Sequence, residues 1–393
     1  MAGPLSGLKI LDFTTLLPGP YASMMMADMG AEVLRIVSKS RPDLNAMLPP
    51  FIPGANISAI AAYLGRGKRC INLNLKDKRG VKIVQQLVED YDIVFEQFRP
   101  GVMAAFGLDY ESLKKINPSL IYCSLTGYGQ NGPMASRAGH DINYLSLSGL
   151  MSYSGRKDTG PVLTGMQIAD VAAGSINAVL GILAAVISRN NTGEGQHVDV
   201  AMTDGSMAFN AMVGAAFLTD GREPGPEGFL LNGGSLYDFY ETKDGQYMSV
   251  GGLEPKFFAA FCETIGRPDL IPGGVAPANL AKIKSEVREI FKKKTRDEWT
   301  VLFNKTDACV EPVLSLEEAF NQPHVKAREL IVDLELPNGK KVRQPATAIK
   351  FSETPCTYTT TGVAGGVHTR EVLLGLGYSE EDIKEFEKTG LFS

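Results

Sequence analysis

The 393-residue chain has only four histidines, five cysteines and one tryptophan, and it carries no excess of basic charge. Lys plus Arg total 39 against 44 Asp plus Glu, a net charge of -5, so no basic field is present to hold nucleic acid and any anionic ligand must be bound by local groups. The cysteines, Cys70, Cys123, Cys262, Cys309 and Cys356, are odd in number and far apart, with no C-x-x-C pair and no zinc-ligand spacing, which fits a reduced intracellular setting and excludes a disulfide framework. No G-x-G-x-x-G follows the first strand pattern and no G-x-x-x-x-G-K-[ST] occurs, which disfavours nicotinamide and nucleoside triphosphate chemistry in their usual motifs. H-E-x-x-H and G-x-S-x-G are missing as well, and no metal site is expected. What is left is acid and base chemistry.

Apolar residues make up 44% and charged residues 21%, ample for a real core, and the length suggests two to three domains. The N-terminus meets Lys9 before any long apolar run and has no signal-peptide layout. The longest apolar stretch, Val171 to Ser188, starts directly after Asp170 and contains Asn177 and several small residues, so it reads as a fully buried helix in preference to a membrane span. A soluble cytoplasmic protein, with no membrane partner and no nucleic-acid partner, is expected.

Short β-branched runs alternate with helical patterns through the first half of the chain, the signature of parallel strands joined by crossover helices. The strand candidates are Leu8 to Phe13, Glu32 to Val37, Cys70 to Leu75, Asp92 to Phe98, Leu120 to Leu125 and His197 to Met202. They predict an α/β large domain, Rossmann-like with a six-stranded parallel sheet, over residues 1–217. The Gly- and Pro-rich stretch 218–231 reads as a linker. A smaller α+β domain is expected over 232–330, with a hairpin from Leu236 to Tyr240 and Tyr247 to Val250. Residues 331–393 are expected to return to the large domain, with a hairpin turn at Pro337-Asn338-Gly339.

Three side chains could carry chemistry. His140 stands at the start of a helical run beyond a strand's carboxyl end, where open α/β sheets bind ligands, but it could equally be a capping or structural histidine. Asp170 heads the long apolar helix, where an N-cap role worth about 1 kcal/mol is the bland alternative. Glu254 follows a strand and a Gly pair and precedes a helix-starting proline, and it too could merely cap. His197, at a strand start, reads as structural. The basic cluster Gly65 to Arg69, followed by Lys76, Lys78 and Arg79, is either a phosphate site or a solvated surface run. Lys39 follows the second strand, a common place for a phosphate of an adenine-containing ligand.

With these residues in place the sequence resembles the family III CoA-transferase superfamily, and within it the α-methylacyl-CoA racemases. The resemblance is carried by Pro18-Gly19-Pro20, the run from Ala27 to Ile36, Gly65 to Arg69, Arg99-Pro100-Gly101, Gly193-Glu194-Gly195-Gln196 and Thr306-Asp307-Ala308-Cys309-Val310. The stretches Gly139 to Gly149 and Glu254 to Phe258 resemble racemase motifs, whereas transferases need neither that histidine nor that glutamate. The resemblance implies catalytic roles for His140, Asp170 and Glu254. It also implies contacts to an acyl-CoA thioester from Lys39, Leu73, Asn74, Leu75, Lys76, Gln97, Phe98, Arg137, Gly139, Asp141, Ile142, Asn143 and Tyr144. Coenzyme A would enter as part of the substrate, with no separate cofactor, and the chain would form an interlocked homodimer. Inverting a carbon next to a thioester carbonyl needs one base and one acid on opposite faces and a stabilised enolate. By resemblance, His140 supported by Glu254 serves one face and Asp170 the other, with the amides near Gly139 to Asp141 as enolate donors. In the transferase alternative Asp170 attacks the acyl thioester and carries CoA as an aspartyl thioester between carboxylic acids. The chain departs from the family pattern at Ser38-Lys39, where many relatives carry arginine, at Asn232 to Leu236, and at Lys256, which replaces a common glutamine and stands where it could compete for Glu254.

Overall fold

The computed structural model describes residues 3–55, 57–336 and 339–392. Six parallel strands form the main sheet: β1 (Lys9–Asp12), β2 (Glu32–Val37), β3 (Lys68–Asn72), β4 (Ile93–Glu96), β5 (Ile121–Thr126) and β6 (His197–Ala201), in the order β3-β2-β1-β4-β5-β6. Every residue of β4 and β5 is buried, as expected of strands covered by helices on both faces. The order reverses at β1, which pairs with β2 on one side and β4 on the other, and a crevice opens beyond the carboxyl ends at such a switch point.

Helix Lys78–Asp90 shows why the pattern was readable. Its apolar residues Ile83, Val84, Leu87 and Val88 form one buried stripe, and the Asp77 side chain caps it by accepting from the Arg79 N–H. The C-terminal helices Thr369–Gly375 and Glu380–Lys388 add Val372, Leu373 and Ile383 to the same core, joined by Leu391. The tail also protects the open edge of β3. His368 Nδ1 accepts from Cys70 N at 3.0 Å and Thr369 Oγ1 from Asn72 N at 3.1 Å, satisfying amides that a neighbouring strand would otherwise bind.

Compact unit one comprises Met1–Leu147, Gly165–Ala208 and Lys326–Ser393, and unit two comprises Ser148–Thr164 and Phe209–Val325. These boundaries differ from those expected. The excursion 148–164 belongs with the second unit, and the stretch read as starting a linker at 218 is still helical through Asp220, within Ala211–Asp220. Gly and Pro mark where the local path breaks, whereas unit membership depends on contacts distant in sequence. Unit two holds an antiparallel sheet of β7 (Asp238–Glu241), β8 (Tyr247–Val250) and β9 (Val310–Pro312) over an aromatic core of Tyr240, Phe258, Phe261, Phe291, Trp299 and Phe303. In unit one, β10 (Ile331–Glu335) and β11 (Lys341–Pro345) form an antiparallel pair, and the expected turn residues Pro337 and Asn338 lie outside the described residues.

The long apolar helix needs correction. It runs over Ala169–Thr192, with π-helical geometry in Ala169–Ile176 and α-helical geometry in Asn177–Thr192. By length and composition it could cross a membrane, but one face packs on β5 and β6, with Ala178, Val179, Ile182 and Ala185 buried. The outer face is not buried: Leu180 is 64% and Ile187 65% exposed. From Val171 to Ile187 only Ser175 and Asn177 are polar, so composition alone could not tell the inner stripe from the outer one.

Candidate active site

Beyond the carboxyl ends of β1, β2, β3 and β4 lies a cavity of about 250 Å³, lined by Phe13, Ile36, Val37, Ser38, Ser40, Arg41, Leu73, Asn74, Leu75, Lys76 and Phe98 among others. Its walls are largely apolar, and the Arg41 guanidinium lies over the Phe98 ring at 5.2 Å from the centroid. An apolar slot with cations beside it suits a flat heteroaromatic ring carrying phosphates. Five of the sequence-derived candidates, Leu73, Asn74, Leu75, Lys76 and Phe98, therefore line one cavity. Lys39 sits exposed on the turn between the lining residues Ser38 and Ser40. Gln97 turns toward the chain, its Oε1 accepting from Gly19 N at 3.1 Å. That glycine is required, because a Cβ there would lie 2.2 Å from the Thr14 Cβ.

Arg41 is the residue that sequence reasoning missed. An arginine was sought directly after β2, but Arg41 N donates to Ser38 O at 3.2 Å in a tight turn that brings it back to the cavity wall. The Ser-Lys-Ser-Arg-Pro run was the available signal. The basic cluster at Gly65 to Arg69, in contrast, is not a solvated surface run, because Arg66 and Lys68 are buried and engaged with partners inside the protein. Arg66 is 0% exposed and donates from Nε and Nη2 to the two Asp28 oxygens at 2.9 and 2.6 Å, with Tyr63 and Tyr358 rings each 5.1 Å from its guanidinium carbon. Lys68 is 4% exposed and donates to Ser23 Oγ at 2.6 Å, Pro20 O at 2.9 Å and Asp12 Oδ2 at 3.3 Å. Burial lowers its ammonium to about 8, against the pull of Asp12. Arg69 pairs with Glu32 and Glu371.

The second part of the site lies beyond β5. The chain runs from β5 to the short helix Asp141–Leu147, with His140 at the position before its first residue. His140 is exposed; its backbone N–H donates to Asn143 Oδ1 at 3.0 Å, and its carbonyl accepts from Asn143 N at 2.8 Å. Tyr144 is buried and donates its hydroxyl to Gly139 O at 2.5 Å. Only glycine fits at 139, since a Cβ would approach the Tyr128 hydroxyl to 2.6 Å and Tyr144 Cε1 to 2.7 Å. Arg137 and Ile142 are exposed.

Asp170 is not an N-cap. It is the second residue of the π-helical segment, and its backbone N–H donates to Asp141 Oδ1 at 3.0 Å, as does Ala169 N at 2.6 Å. Asp141 thereby joins the His140 segment to the Asp170 segment. Burial chiefly, and the Asp141 charge secondarily, push the Asp170 carboxyl up to about 6 against the opposing influence of the nearby His140. The Asp170 carboxyl, with its raised pKa, therefore lies within electrostatic reach of His140 at one end of the sheet. His197 has a different setting: its Nε2 is 3.0 Å from Ser124 Oγ, its ring stacks on Tyr110 at 5.8 Å, and burial lowers its pKa.

Glu254 lies in unit two, at the N-cap of helix Pro255–Thr264, where its exposed side chain makes no capping hydrogen bond. The capping alternative is thus not what this carboxylate does. Lys256, the suspected competitor, places its Nζ 4.3 Å from the Phe257 ring centroid, and among the described residues no ion pair joins it to Glu254. Cys309, exposed and held at φ 51°, is close enough for the Glu254 charge to raise its thiol pKa, though burial raises it more.

Comparison with known proteins decides the family. The model of CoA-transferase family III matches residues 5–369. The chain belongs to CoA-transferase family III. Relatives within this family differ in activity. The chain is 34% identical to the mouse alpha-methylacyl-CoA racemase over 382 residues, covering 96% of this chain and 95% of that one. It is 37% identical over 389 residues to the succinate–glutarate CoA-transferase of Agrobacterium fabrum, covering 95% and 96%. Among solved structures, a CAIB/BAIF family protein from Brucella suis superposes with a TM-score of 0.85 at 30% identity, covering 96% of this chain and 100% of that one. The family III chain is therefore an enzyme of this superfamily, with racemase and transferase relatives at similar identity.

Proposed function

We propose that this family III enzyme is a racemase or epimerase that inverts the α-carbon of 2-methylacyl-CoA thioesters by two-base proton transfer through an enolate. The observation that carries the reading is the pairing of His140 with Asp170, a carboxyl held to about 6 beside an imidazole. A carboxyl with a raised proton affinity facing an imidazole suits a reaction that must run in both directions, because each carrier has to accept a proton in one turnover and return it in the next. His140 removes or returns the α-proton on one face and Asp170 does so on the other. Glu254, free of capping duty, is the carboxylate assigned to hold the histidine. The amides opening Asp141–Leu147 are the donors assigned to the thioenolate oxygen. The apolar cavity beside Arg41 and Lys76 takes the nucleotide end of the substrate. The reading takes the protein as a cytoplasmic homodimer.

A second reading has its own support. The 37% identity to the Agrobacterium enzyme favours a CoA-transferase, in which Asp170 attacks the acyl thioester and His140 is dispensable. One experiment separates the two. With a chiral 2-methylacyl-CoA in deuterium oxide and no acceptor acid, a racemase incorporates deuterium at the α-carbon and scrambles the configuration, and His140→Ala lowers that exchange by at least about 100-fold. A protein that shows no exchange, but moves CoA to an added dicarboxylate equally well with and without His140, refutes the racemase.

A further inference from the structure

The residue that ties the candidate site together is one that neither reading assigns a part in proton transfer. Asp141 Oδ1 accepts from the backbone N–H groups of Ala169 and Asp170, at 2.6 and 3.0 Å, from 28 and 29 positions away in the chain. These are the first two amides of an eight-residue π-helical segment whose N-cap position is Ile168, a residue with no side-chain acceptor. Helix starts leave such amides without intrahelical partners, and local Ser, Thr, Asp or Asn usually serves them. Here the service comes from a different element, directly after His140. The far end of the segment is pinned too: Ser175 Oγ donates to Pro18 O at 2.6 Å and lies 3.1 Å from Asp170 O. The π-helical start is thus clamped by Asp141 at one end and Ser175 at the other, with Asp170 between them. Such segments occur frequently at functional sites.

The clamp brings a charge with it. Tyr21 and Asp28 on Pro18–Asp28, Arg189 on Asn177–Thr192, Asp204 on Met202–Ala208, and His197 and Asp199 on β6 are the titratable or charged groups of the elements packed on this segment, together with Asp141 and Tyr144 of the short helix and His140 directly before it. Of these, Asp141 and His140 are the ones that act on the Asp170 carboxyl.

We propose that Asp141 is the positioning residue of this site: its carboxylate, accepting from the Ala169 and Asp170 amides, fixes where the Asp170 segment begins and what faces the Asp170 carboxyl. The inference rests on the reading in which Asp170 carries a proton, yet it can be tested apart from turnover. Asp141→Asn keeps an oxygen acceptor for the two amides and removes the charge, whereas Asp141→Ala removes both. The Asp170 carboxyl is followed by carbon-13 NMR in aspartate-labelled protein, its resonance identified by its loss in Asp170→Asn. The expected result is that Asp141→Asn moves the Asp170 titration down by about one pH unit, as loss of a neighbouring like charge does. The acid limb of the kcat–pH profile for α-proton exchange moves by the same amount. Asp141→Ala lowers kcat further than Asp141→Asn does. An Asp170 titration unchanged in Asp141→Asn overturns the proposal, as does a kcat loss equal in both variants with no movement of the acid limb. If Asp141→Ala does not fold, Asp141→Asn alone decides. A shifted titration in a protein that catalyses no exchange upholds the Asp141 role while refuting the racemase; exchange with an unshifted titration does the reverse.

Discussion

Replacing Asp170 with asparagine should make the protein more stable at neutral pH, and by an amount that depends on pH in one particular way. The Asp170 carboxyl titrates at about 6, against 3.8 for the ordinary group, chiefly because burial penalises the charged form and secondarily because Asp141 repels it. One pH unit corresponds to 1.36 kcal/mol, so the full shift would be worth about 3 kcal/mol; solvent reaches part of this site and screens it, which leaves about 1–2 kcal/mol. Because the folded-state value is raised, the folded protein binds more protons than the unfolded chain between about pH 4 and 6. The stabilisation by the protonated form is complete below the unfolded value and is lost as pH rises through about 6. Asparagine keeps the shape and has no charge to gain, so it escapes that loss. Melting curves of the wild type and Asp170→Asn, recorded from pH 4 to pH 8 at one ionic strength, should nearly coincide at the acid end, draw apart as pH rises from about 4 to about 6, and stay a few degrees apart above that, with the variant higher. Titrating groups that do not interact with Asp170 cancel in the difference. A gap that stays flat across this range, or that grows toward acid, would refute the account of why the carboxyl retains its proton.

Three further outcomes test other parts of the molecule. Arg41→Ala should raise KM for an acyl-CoA about tenfold, a loss of about 1.4 kcal/mol of binding, and leave KM for the corresponding pantetheine thioester unchanged, which steady-state kinetics with the two substrates will read. Arg66→Met should cost about 3–5 kcal/mol of stability by leaving Asp28 buried without its cation, and adding Asp28→Leu should restore part of it; a variant that melts like the wild type but binds CoA weakly would return the cluster to a phosphate role. Glu96, buried and pushed up to about 7 against the hydrogen bonds from Ser124 and the Phe98 amide, should lose stability as pH rises from 5 to 8. Glu96→Gln should remove about 2–3 kcal/mol of that loss, seen as a melting difference that widens with pH.

The parts of this structure that were legible in the sequence are those governed by period and local chemistry. Each of the six sheet strands overlaps one of the short apolar runs, and Glu32–Val37 has the expected ends, because strands buried on both faces leave little else for such runs to do. The hairpin of β7 and β8 followed from alternation and a turn, while β9, three residues long and ending in proline, offered no alternation to read. The error at β3 is more telling. It was expected at Cys70 to Leu75 and lies at Lys68–Asn72, two residues earlier, because Lys68 sits inside the sheet. A charged residue is discounted as a core position unless its partners are known, and those partners, Asp12 and Ser23, stand 56 and 45 residues away. The same reason hid the Arg66–Asp28 pair, 38 residues apart.

The candidate site belongs to this second kind of structure. His140 and Asp170 could each be suspected from position, but what relates them is the Asp141 carboxylate reaching across to two amides of a helix start, and no periodicity encodes that contact. A helix opening with Ile-Ala-Asp has no local acceptor in front of it, and a short helix opening with His-Asp has a carboxylate to offer; neither fact means anything until the strand crossing between β5 and β6 brings the two openings together. Once they meet, one oxygen does two jobs of opposite cost. The hydrogen bonds to Ala169 and Asp170 hold the segment, while the charge beside the Asp170 carboxyl works against its ionisation. An asparagine at 141 would supply the first without the second. The carboxylate at 141 supplies both, which is the arrangement expected of a site where Asp170 works as a proton carrier, and it bears on the proposed proton transfer more than either His140 or Asp170 taken alone.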